Sequence, residues 1–275
     1  MIIDSHVHLA EPPYKRNKWF IKGTDGTENI IPLSEDADLS VDSLISDMNK
    51  NHIEKALVVA CSGILSNENL SEVVKSHPNQ FVGFAWVNNP KHKQSIVELE
   101  YAVNELGLRG LKLHPGVQNF SPADQEIVPL IKRAAELNTL IFIHMTPYIP
   151  HGDFHNCLVE HIAVLWKRVP EATILIGHMG FPRWFDLLTI APLPGVYVET
   201  SWGLTMLAEL FGLDFTTRFI RKIGVDNVVF GSDWLGEGWF ETKNQIDLIQ
   251  KLNLSATEKE KILGENINTV LEGLL

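Results

Sequence analysis

Five residues that can bind a metal or carry a proton stand at the ends of short apolar segments. His6 and His8 form a His-x-His pair near the start, and His144, His178 and Asp233 each end a β-branched, apolar run. Residues two apart on a strand point to the same side, so His6 and His8 are predicted to face one site. Imidazole and carboxylate groups suit a divalent ion, zinc first and manganese or iron(II) next. A set that leaves one position for water is typical of catalytic metal sites.

The elements that must position these residues alternate between strand and helix. Eight runs are apolar on both faces, as expected of parallel strands covered by helices. These runs are Ile2–Ile3, Ala56–Ala60, Phe81–Val87, Gly110–Leu113, Thr139–Ile143, Thr173–Ile176, Gly195–Val198 and Asn227–Phe230. Helical spacing predicts helices over Val41–Asn51, Ser95–Leu106, Pro122–Leu137 and Cys157–Val169. The third of these is predicted to start at Ser121-Pro122, with Asp124 in its first turn.

This alternation fits either an α/β (β/α)₈ TIM barrel or a doubly wound open sheet. Polar residues at nearly every strand end favour the barrel, because barrel active sites are assembled at the carboxyl ends of several strands. We therefore predict a single barrel domain over residues 1–275, with an extra C-terminal helix around Ala256–Leu275. Residues 9–40 have no clear periodicity and form a long loop after the first strand. We interpret them as a lid or pocket wall, with plain disorder as the alternative.

The composition excludes some classes of function. The chain has 23 basic and 34 acidic residues, a formal net charge of -11, which is the reverse of what a nucleic-acid binder usually shows. Cys61 and Cys157 are too few for a disulfide framework, so we expect two buried free thiols in a reducing compartment. The first residues lack a basic leader, and no apolar run is long enough to span a membrane. We expect a cytoplasmic protein that acts on a small molecule; a homodimer is compatible with the sequence, but no residue pattern requires one.

Several motifs resemble those of the amidohydrolase superfamily, in its branch of small hydrolases and related decarboxylases. They occur in the family's order along almost the whole chain, as Asp4–His8, Gly110–Pro115, Ile143–His144, Gly177–Gly180, Gly231–Trp234 and Gly264–Asn266. The resemblance implies a metal-dependent TIM-barrel enzyme. It also implies that His6, His8, His144 and Asp233 bind the principal metal, with Asp233 taking a proton from bound water. His178 would then bind a second metal or act as the catalytic base and electrophile beside a single one.

Lys112 has two interpretations. In two-metal relatives, a carboxylated lysine of the fourth strand bridges the ions, and the segment from Lys112 to Pro115 resembles that region. In single-metal relatives, this position contacts substrate or structure. We favour a lysine that binds a substrate carboxylate, because Lys commonly binds anions as a point charge. Lys112 and His114 share one strand face and are both expected to point inward.

Other residues near the strand ends show weaker evidence of a functional role. Glu199 is expected to bind substrate or to orient a histidine, with an ion pair at the rim as the alternative. We expect packing roles for Trp202, Trp234 and Trp239, with an aromatic pocket as the alternative. We assign Asn88 and Arg109 to rim structure. His151 and His155 are expected to be exposed loop residues, with substrate contact as the alternative.

These residues predict a hydrolase first. A metal-activated hydroxide would attack a small amide, lactone or ester, with Asp233 as general base and His178 assisting the oxyanion. The alternative is a non-oxidative decarboxylase or hydratase of an aromatic or unsaturated carboxylic acid, which would use the same ligands and need a basic group near the site. Besides Lys112, that group could come from Lys15, Arg16 or Lys18. A non-catalytic, metal-containing binding module is the third possibility, and the proton shuttle at Asp233 argues against it.

Overall fold

The described residues of the computed structural model contain ten strands. They are β1 (Ile3–Val7), β2 (Lys18–Lys22), β3 (Glu28–Pro32), β4 (Lys55–Val59), β5 (Phe81–Trp86), β6 (Gly110–Leu113), β7 (Leu140–Ile143), β8 (Thr173–Ile176), β9 (Val196–Glu199) and β10 (Val228–Val229). The structure describes the whole chain except residues 25, 27, 36, 148–152, 237–240 and 275, and leaves the side chains at 21, 22, 29 and 31 undescribed.

Eight of these strands form a parallel barrel, which confirms the predicted fold. They follow one another in the order β1-β4-β5-β6-β7-β8-β9-β10. The first and last strands then meet, because the Ser5 amide donates to the Phe230 carbonyl oxygen at 3.0 Å and the His8 amide to that of Trp234 at 3.0 Å. Strands buried on both faces need apolar residues throughout, which is why the segments could be recognised in the sequence.

Helices cover the outside of the barrel. They are α1 (Val41–Lys50), α2 (Asn67–Ser76), α3 (Gln94–Asn104), α4 (Pro115–Gln118), α5 (Val128–Glu136), α6 (Glu160–Arg168), α7 (Leu187–Ile190), α8 (Ser201–Phe211), α9 (Leu213–Ile223), α10 (Thr242–Lys251), α11 (Ala256–Glu260) and α12 (Asn266–Leu274). Among the described residues, no helix has the length and apolar character needed to cross a bilayer.

The predicted start of one helix was wrong. Ser121, Pro122 and Asp124 do not begin a helix but form a local turn, in which the Asp124 carboxylate accepts from the Ser121 amide at 3.0 Å. The helix α5 begins later, at Val128, with Pro129 in its first turn. Ser and Asp side chains accept hydrogen bonds from nearby backbone amides both in such turns and at helix starts, so the motif alone does not distinguish the two.

Residues 9–40 are not structureless. The strands β2 and β3 pair in antiparallel register, with Trp19 opposite Ile31. The side chain of Trp19 is buried, and so are those of Leu33, Ala37 and Leu39. A segment that buries four apolar side chains is anchored to the barrel, so the alternative of plain disorder is wrong for the described part.

An apolar plug fills the lower part of the barrel. It consists of Ile3, Leu57, Val59, Phe84, Leu140, Phe142, Leu175 and Val229, closed from below by Ile267, Val270 and Leu271 of α12. Gly110 permits this packing, because a Cβ at that position would overlap the Phe84 ring. The C-terminal helix predicted at Ala256–Leu275 is therefore a barrel closure, divided into α11, a π-helical turn over Lys261–Glu265, and α12.

Candidate metal and catalytic site

The predicted site residues meet above the apolar plug, at the carboxyl ends of the strands. His6 lies in β1 and Lys112 in β6, while His144, His178 and Asp233 follow β7, β8 and β10. The pairing of β1 with β4 shifts register between Asp4 and Val7. In a regular strand, residues an odd number apart point to opposite sides, so Ile3 and His6 would not both face the interior. The irregularity allows both to do so: Ile3 belongs to the apolar plug, and the His6 ring lies 4.5 Å from that of Phe142.

The centre of the site is the Asp233 carboxylate. Its Oδ1 lies 3.1 Å from His8 Nε2 and 3.4 Å from His6 Nε2. Donor atoms of His6, His178 and Asp233 all lie within 4.8 Å of one another, a spacing at which they could share a metal ion. The structure thus brings together His6, His8, His178 and Asp233, three imidazoles and one carboxylate.

His144 lies on the other side of His178. Its Nδ1 is 2.9 Å from His178 Nε2, and its ring stacks on that of His114 with 3.8 Å between centroids. His144 is more exposed than the other three histidines. The direct pairing of the two imidazoles was not predicted from the sequence, which treated His144 as a companion of His6 and His8.

Two site residues have backbone conformations that L-amino acids rarely adopt. His178 and Asp233 both have φ near 56°, in the left-handed region, and Met179 continues with φ of 50°. Gly203 makes room for this turn, because a Cβ there would overlap the His178 carbonyl oxygen. Non-glycine residues held in this region carry strain that the surrounding structure must offset, and such residues cluster at functional sites.

Lys112 is a buried cation next to the imidazoles. Its Nζ lies 3.2 Å from His6 Nε2 and 3.6 Å from the centre of the Phe142 ring. Burial lowers the pKa of Lys112 to about 7, although Asp233, Cys61 and Glu199 act in the opposite direction. The ammonium thus has an aromatic face and a ring nitrogen nearby, and no carboxylate within ion-pair distance among the described residues.

Glu199 and Ser201 hold His178 in place. The Glu199 Oε2 accepts from the His178 amide at 3.0 Å and from the Ser201 hydroxyl at 3.0 Å, and Ser201 Oγ lies 2.7 Å from His178 Nδ1. Burial raises the pKa of Glu199 to about 8. Gly231 gives the carboxylate its space, because a Cβ there would overlap it. Of the two predicted roles for Glu199, orientation of a histidine is the one these contacts support.

Electrostatics keep the imidazoles neutral and the carboxylate ionised. Burial lowers the pKa of His6, His8 and His144, and it lowers that of His178 to about 3. For Asp233, burial alone would raise the pKa, but His6 and the hydrogen bond to His8 outweigh it and hold the pKa well below its usual range. Neutral imidazole and ionised carboxylate are the forms that bind metals.

The donor set fits a divalent ion. Three buried imidazole nitrogens have no hydrogen-bond partner within the described part of the chain, namely His6 Nδ1, His8 Nδ1 and His144 Nε2. Buried polar atoms are nearly always paired, so each unpaired atom needs an explanation. Each of these three rings turns its other nitrogen toward Asp233 or His178, so the donor atoms that a divalent cation could share are His6 Nε2, His8 Nε2 and Asp233 Oδ1.

Aromatic residues surround the cluster. Trp202 lies 5.1 Å from His178, and the buried Trp234 forms a bridge to Val7 that helps to close the barrel. Trp19 was not predicted as a site residue, yet its ring meets that of His8 edge-on at 4.6 Å. It belongs to the hairpin of residues 9–40, and no periodic signal in that segment could have placed it there. Ser201 was also missed, although it stands only two residues after Glu199. Trp239 and His151 lie outside the described residues.

The remaining predicted residues lie at the rim. Asn88 is exposed and donates through its amide to Glu98 at 2.7 Å, and Arg109 is also exposed. His155 is exposed beside Asp153. Arg16 donates to the backbone carbonyl oxygens of Glu11 and Pro13, so its guanidinium is engaged within its own loop. Cys61 and Cys157 are buried free thiols, as predicted.

The family-model comparison matches this chain to the amidohydrolase family over residues 3–272. The chain belongs to the amidohydrolase family. This result confirms the resemblance seen in the motifs.

Two curated relatives of this chain are named decarboxylases. It is 24% identical over 234 residues to 2-amino-3-carboxymuconate-6-semialdehyde decarboxylase of Dictyostelium discoideum, a match that covers 73% of this chain and 63% of that protein. It is also 24% identical to gamma-resorcylate decarboxylase of a Polaromonas species, over 72% of both chains. The match therefore spans less than two thirds of the Dictyostelium protein.

Solved structures share the fold. A dihydroxybenzoic acid decarboxylase from Polaromonas, with bound manganese and the inhibitor 2-nitroresorcinol, superposes with a TM-score of 0.71 at 18% identity, covering 98% of this chain and 96% of that one. The hydrolase prediction is wrong in the light of the named relatives, which favour the alternative reaction. The predicted ligand types are common to both reactions, so the motifs could not separate them.

Proposed function

We propose that this protein is a metal-dependent, non-oxidative decarboxylase of a small aromatic or unsaturated carboxylic acid. The observation that carries the proposal is the buried cluster of His6, His178 and Asp233 with the Lys112 ammonium beside it. A carboxylic acid substrate needs a cationic partner in a buried site, because burying an unpaired carboxylate is costly. The decarboxylase names of the two sequence relatives support the same reaction.

We assign the metal to His6, His8, His144 and Asp233. His6 Nε2 and His8 Nε2 face the ionised Asp233 carboxylate, which supports these three, and His144 is included because its motif resembles that of a family ligand. When bound, a divalent ion would act as a Lewis acid toward the substrate carboxylate and a neighbouring oxygen. The manganese in the Polaromonas neighbour makes Mn²⁺ the first ion to test, with Zn²⁺ as the ion favoured by the sequence.

Lys112 would bind the substrate carboxylate before it is lost. The ammonium lies against the Phe142 ring, where a cation is stabilised without losing its charge to a fixed carboxylate. Because burial lowers the pKa of Lys112 to about 7, an incoming carboxylate would favour its charged form and pair with it. This role needs an uncarboxylated Lys112, in contrast to the bridging lysine of two-metal relatives.

His178 would deliver the proton that replaces the carboxyl group. The bond between the ring or vinyl carbon and the carboxyl carbon breaks, its electron pair stays on the substrate carbon, the proton from His178 binds there, and CO₂ leaves. Burial lowers the pKa of His178 to about 3, so the ring rests neutral and would first take up the proton of the incoming carboxylic acid before passing it to carbon. Ser201 and Glu199 orient the ring through Nδ1, and Nε2, which lies 2.9 Å from His144 Nδ1, would be the atom that carries the proton.

The hairpin of residues 9–40 would form one wall of the pocket. Trp19 reaches the site and covers the His8 ring, so this segment excludes water on that side. A water-poor pocket strengthens the electrostatic contacts with a carboxylate substrate. This role corresponds to the pocket wall expected from the sequence.

The proposal is tested by CO₂ release from a panel of aromatic and unsaturated acids, with 2,6-dihydroxybenzoate and 2-amino-3-carboxymuconate semialdehyde as first members. Protein loaded with Mn²⁺ should release one CO₂ per molecule of decarboxylated product, and Lys112→Met should bind the acid more weakly. Turnover of amide, lactone or ester substrates with none of the acids would reject the proposal. Met is uncharged but about as long as Lys, so this variant isolates the effect of the charge.

A further inference from the structure

The segment that carries Asp233 lies beyond the regular part of its strand. The pairing of β10 with β9 covers only Val228 and Val229. Asp233 follows four residues later, with φ of 56° in the left-handed region. A conformation of this kind persists only where the surrounding structure determines it. The position of the carboxylate that faces His6 and His8 is therefore set by contacts other than the pairing of these two strands.

Backbone bonds to β1 hold this segment at its two ends. The Phe230 carbonyl oxygen accepts from the Ser5 amide at 3.0 Å, and the Trp234 carbonyl oxygen accepts from the His8 amide at 3.0 Å. These two bonds close the barrel. In the part of the chain that the structure describes, no backbone group bonds to the amide or the carbonyl of Ser232, which directly precedes Asp233.

Two side chains instead hold Ser232, one at each of its backbone polar groups. The Asp4 Oδ1 accepts from the Ser232 amide at 2.9 Å, and the Gln245 Nε2 donates to the Ser232 carbonyl oxygen at 2.7 Å. Asp4 belongs to β1 and Gln245 to α10, and both side chains are buried. Fixing both groups of Ser232 restricts the backbone rotations that decide where the Asp233 side chain points.

The same Asp4 oxygen also holds His6. The His6 amide donates to Asp4 Oδ1 at 3.1 Å, within the part of β1 where the register against β4 shifts. One oxygen atom thus joins the backbone of His6 to the backbone next to Asp233. The two side chains that this oxygen connects face each other, with 3.4 Å between His6 Nε2 and Asp233 Oδ1.

A similar arrangement occurs at the other left-handed residue that faces the cluster. His178 also has φ of 56°, and its amide donates to the buried Glu199 carboxylate at 3.0 Å. At both places, a buried carboxylate on a neighbouring strand accepts from the backbone of a turn that carries a site residue. The repetition indicates that these carboxylates serve the geometry of the site, because backbone bonds already close the barrel.

We propose that Asp4 and Gln245 are positioning residues of the metal centre. They hold Ser232 so that the Asp233 carboxylate meets the imidazoles, and Asp4 fixes His6 at the same time. Both act through the backbone of other residues and not through contact with the ion. The inference rests on the proposed assignment of His6 and Asp233 as ligands, and it is independent of the reaction that the enzyme performs.

Calorimetric titration of chelator-treated protein with Mn²⁺ tests this role. Asp4→Ala removes the acceptor of two amides, and Gln245→Leu removes the donor to Ser232 with little change in size. Groups that orient metal ligands typically change metal affinity by about 10 to 100-fold, so each variant should raise the Kd for Mn²⁺ by that factor. Asp4→Asn keeps an oxygen that can accept from both amides and should recover most of the affinity. Circular dichroism identifies the folded variants, and Gln245→Leu decides the matter if Asp4→Ala does not fold.

The matched control is Asn266→Ala. Asn266 is a buried residue whose Nδ2 donates to the carbonyl oxygens of Val225 and Val228, both at 2.8 Å. It therefore holds the lower end of β10 with two hydrogen bonds, as Asp4 holds the segment above. Asn266→Ala should lower the thermal stability of the metal-free protein and leave the Kd for Mn²⁺ unchanged. The comparison separates loss of position from loss of stability.

Three results would overturn the proposal. Wild-type affinity for Mn²⁺ in folded Asp4→Ala or in folded Gln245→Leu would show that the side chain does not position the ligands. An equal loss of affinity in Asn266→Ala would show that general destabilisation of β10 is the cause. A wild-type protein that binds no Mn²⁺ would reject the assignment of the ligands, and this inference with it, whereas the first two results leave that assignment standing.

Discussion

The two ends of the barrel interior are built in opposite ways. The lower end is the apolar plug closed by α12, with fully buried side chains such as Phe84 and Leu140. The upper end contains the imidazoles, the Lys112 ammonium and Asp233, with unpaired nitrogens and left-handed backbone at His178 and Asp233. The lower end buries apolar side chains, whereas the upper end buries polar and ionisable groups and holds some of them in strained backbone conformations. Stability and function are thus assigned to separate layers of one fold.

Phe142 marks the boundary between the two ends. It belongs to the apolar plug, yet its ring lies 4.5 Å from that of His6 and 3.6 Å from Lys112 Nζ. The site therefore stands on a rigid apolar base rather than on loops alone. Substitutions above this ring should change activity, and those below it should change stability.

The largest effect is expected at His178. Replacing His178 by Ala removes the proposed proton donor, and loss of general acid catalysis lowers kcat by about 10² to 10⁴-fold. Mn²⁺ content and thermal stability should change little. Kinetics and metal analysis of the same preparation check this. Loss of metal together with activity would make His178 a ligand instead.

Replacing Phe84 should cost a similar free energy, but the loss should appear in stability and not in catalysis. Phe84→Ala leaves a cavity in the apolar plug and should lower the free energy of unfolding by about 3–5 kcal/mol. The kcat of the molecules that remain folded should be close to that of the wild type. Urea unfolding and activity below the transition measure both quantities. A large fall in kcat in fully folded protein would contradict the separation of layers.

A smaller effect is expected from Glu199→Gln. The amide keeps the size of the side chain but weakens its hold on Ser201 and on the His178 amide. Residues that orient ligands and catalytic groups typically change activity or metal affinity by about 10 to 100-fold. The loss should fall on kcat more than on KM, and the pH profile of kcat should shift. Ser201→Ala removes the hydroxyl that links Glu199 to His178 Nδ1 and should lower kcat as well. Wild-type kinetics in both variants would show that this orientation of His178 is unimportant.

The smallest effect is expected at Ser255, at the start of α11. Its side chain accepts from the Glu258 amide at 3.1 Å, and the Glu258 carboxylate accepts from the Ser255 amide at 2.6 Å, forming a capping box. Ser255→Ala should cost about 1 kcal/mol of stability and leave kcat unchanged. Thermal melts compared with Ser255→Asn, which restores a cap, check this assignment.

The sequence predicted the barrel because its strands are apolar on both faces and its polar residues cluster at strand ends. It misplaced the start of α5, since Ser121 and Asp124 cap a turn as readily as a helix. It missed the β2–β3 hairpin, whose strands mix Lys, Trp and Phe without a steady alternation. It could not show that His178 faces His144, because that contact depends on the left-handed turn after β8.

Manganese binding tests the central claim most directly. Chelator-treated wild-type protein and a His6→Ala, His8→Ala double variant are titrated with Mn²⁺ by calorimetry, after circular dichroism has shown that both are folded. We expect about one tight Mn²⁺ site per chain in the wild type and none in the variant, because each substitution removes a ligand from the proposed set. Equal binding by the two proteins would contradict the assignment of the upper end of the barrel as the metal centre.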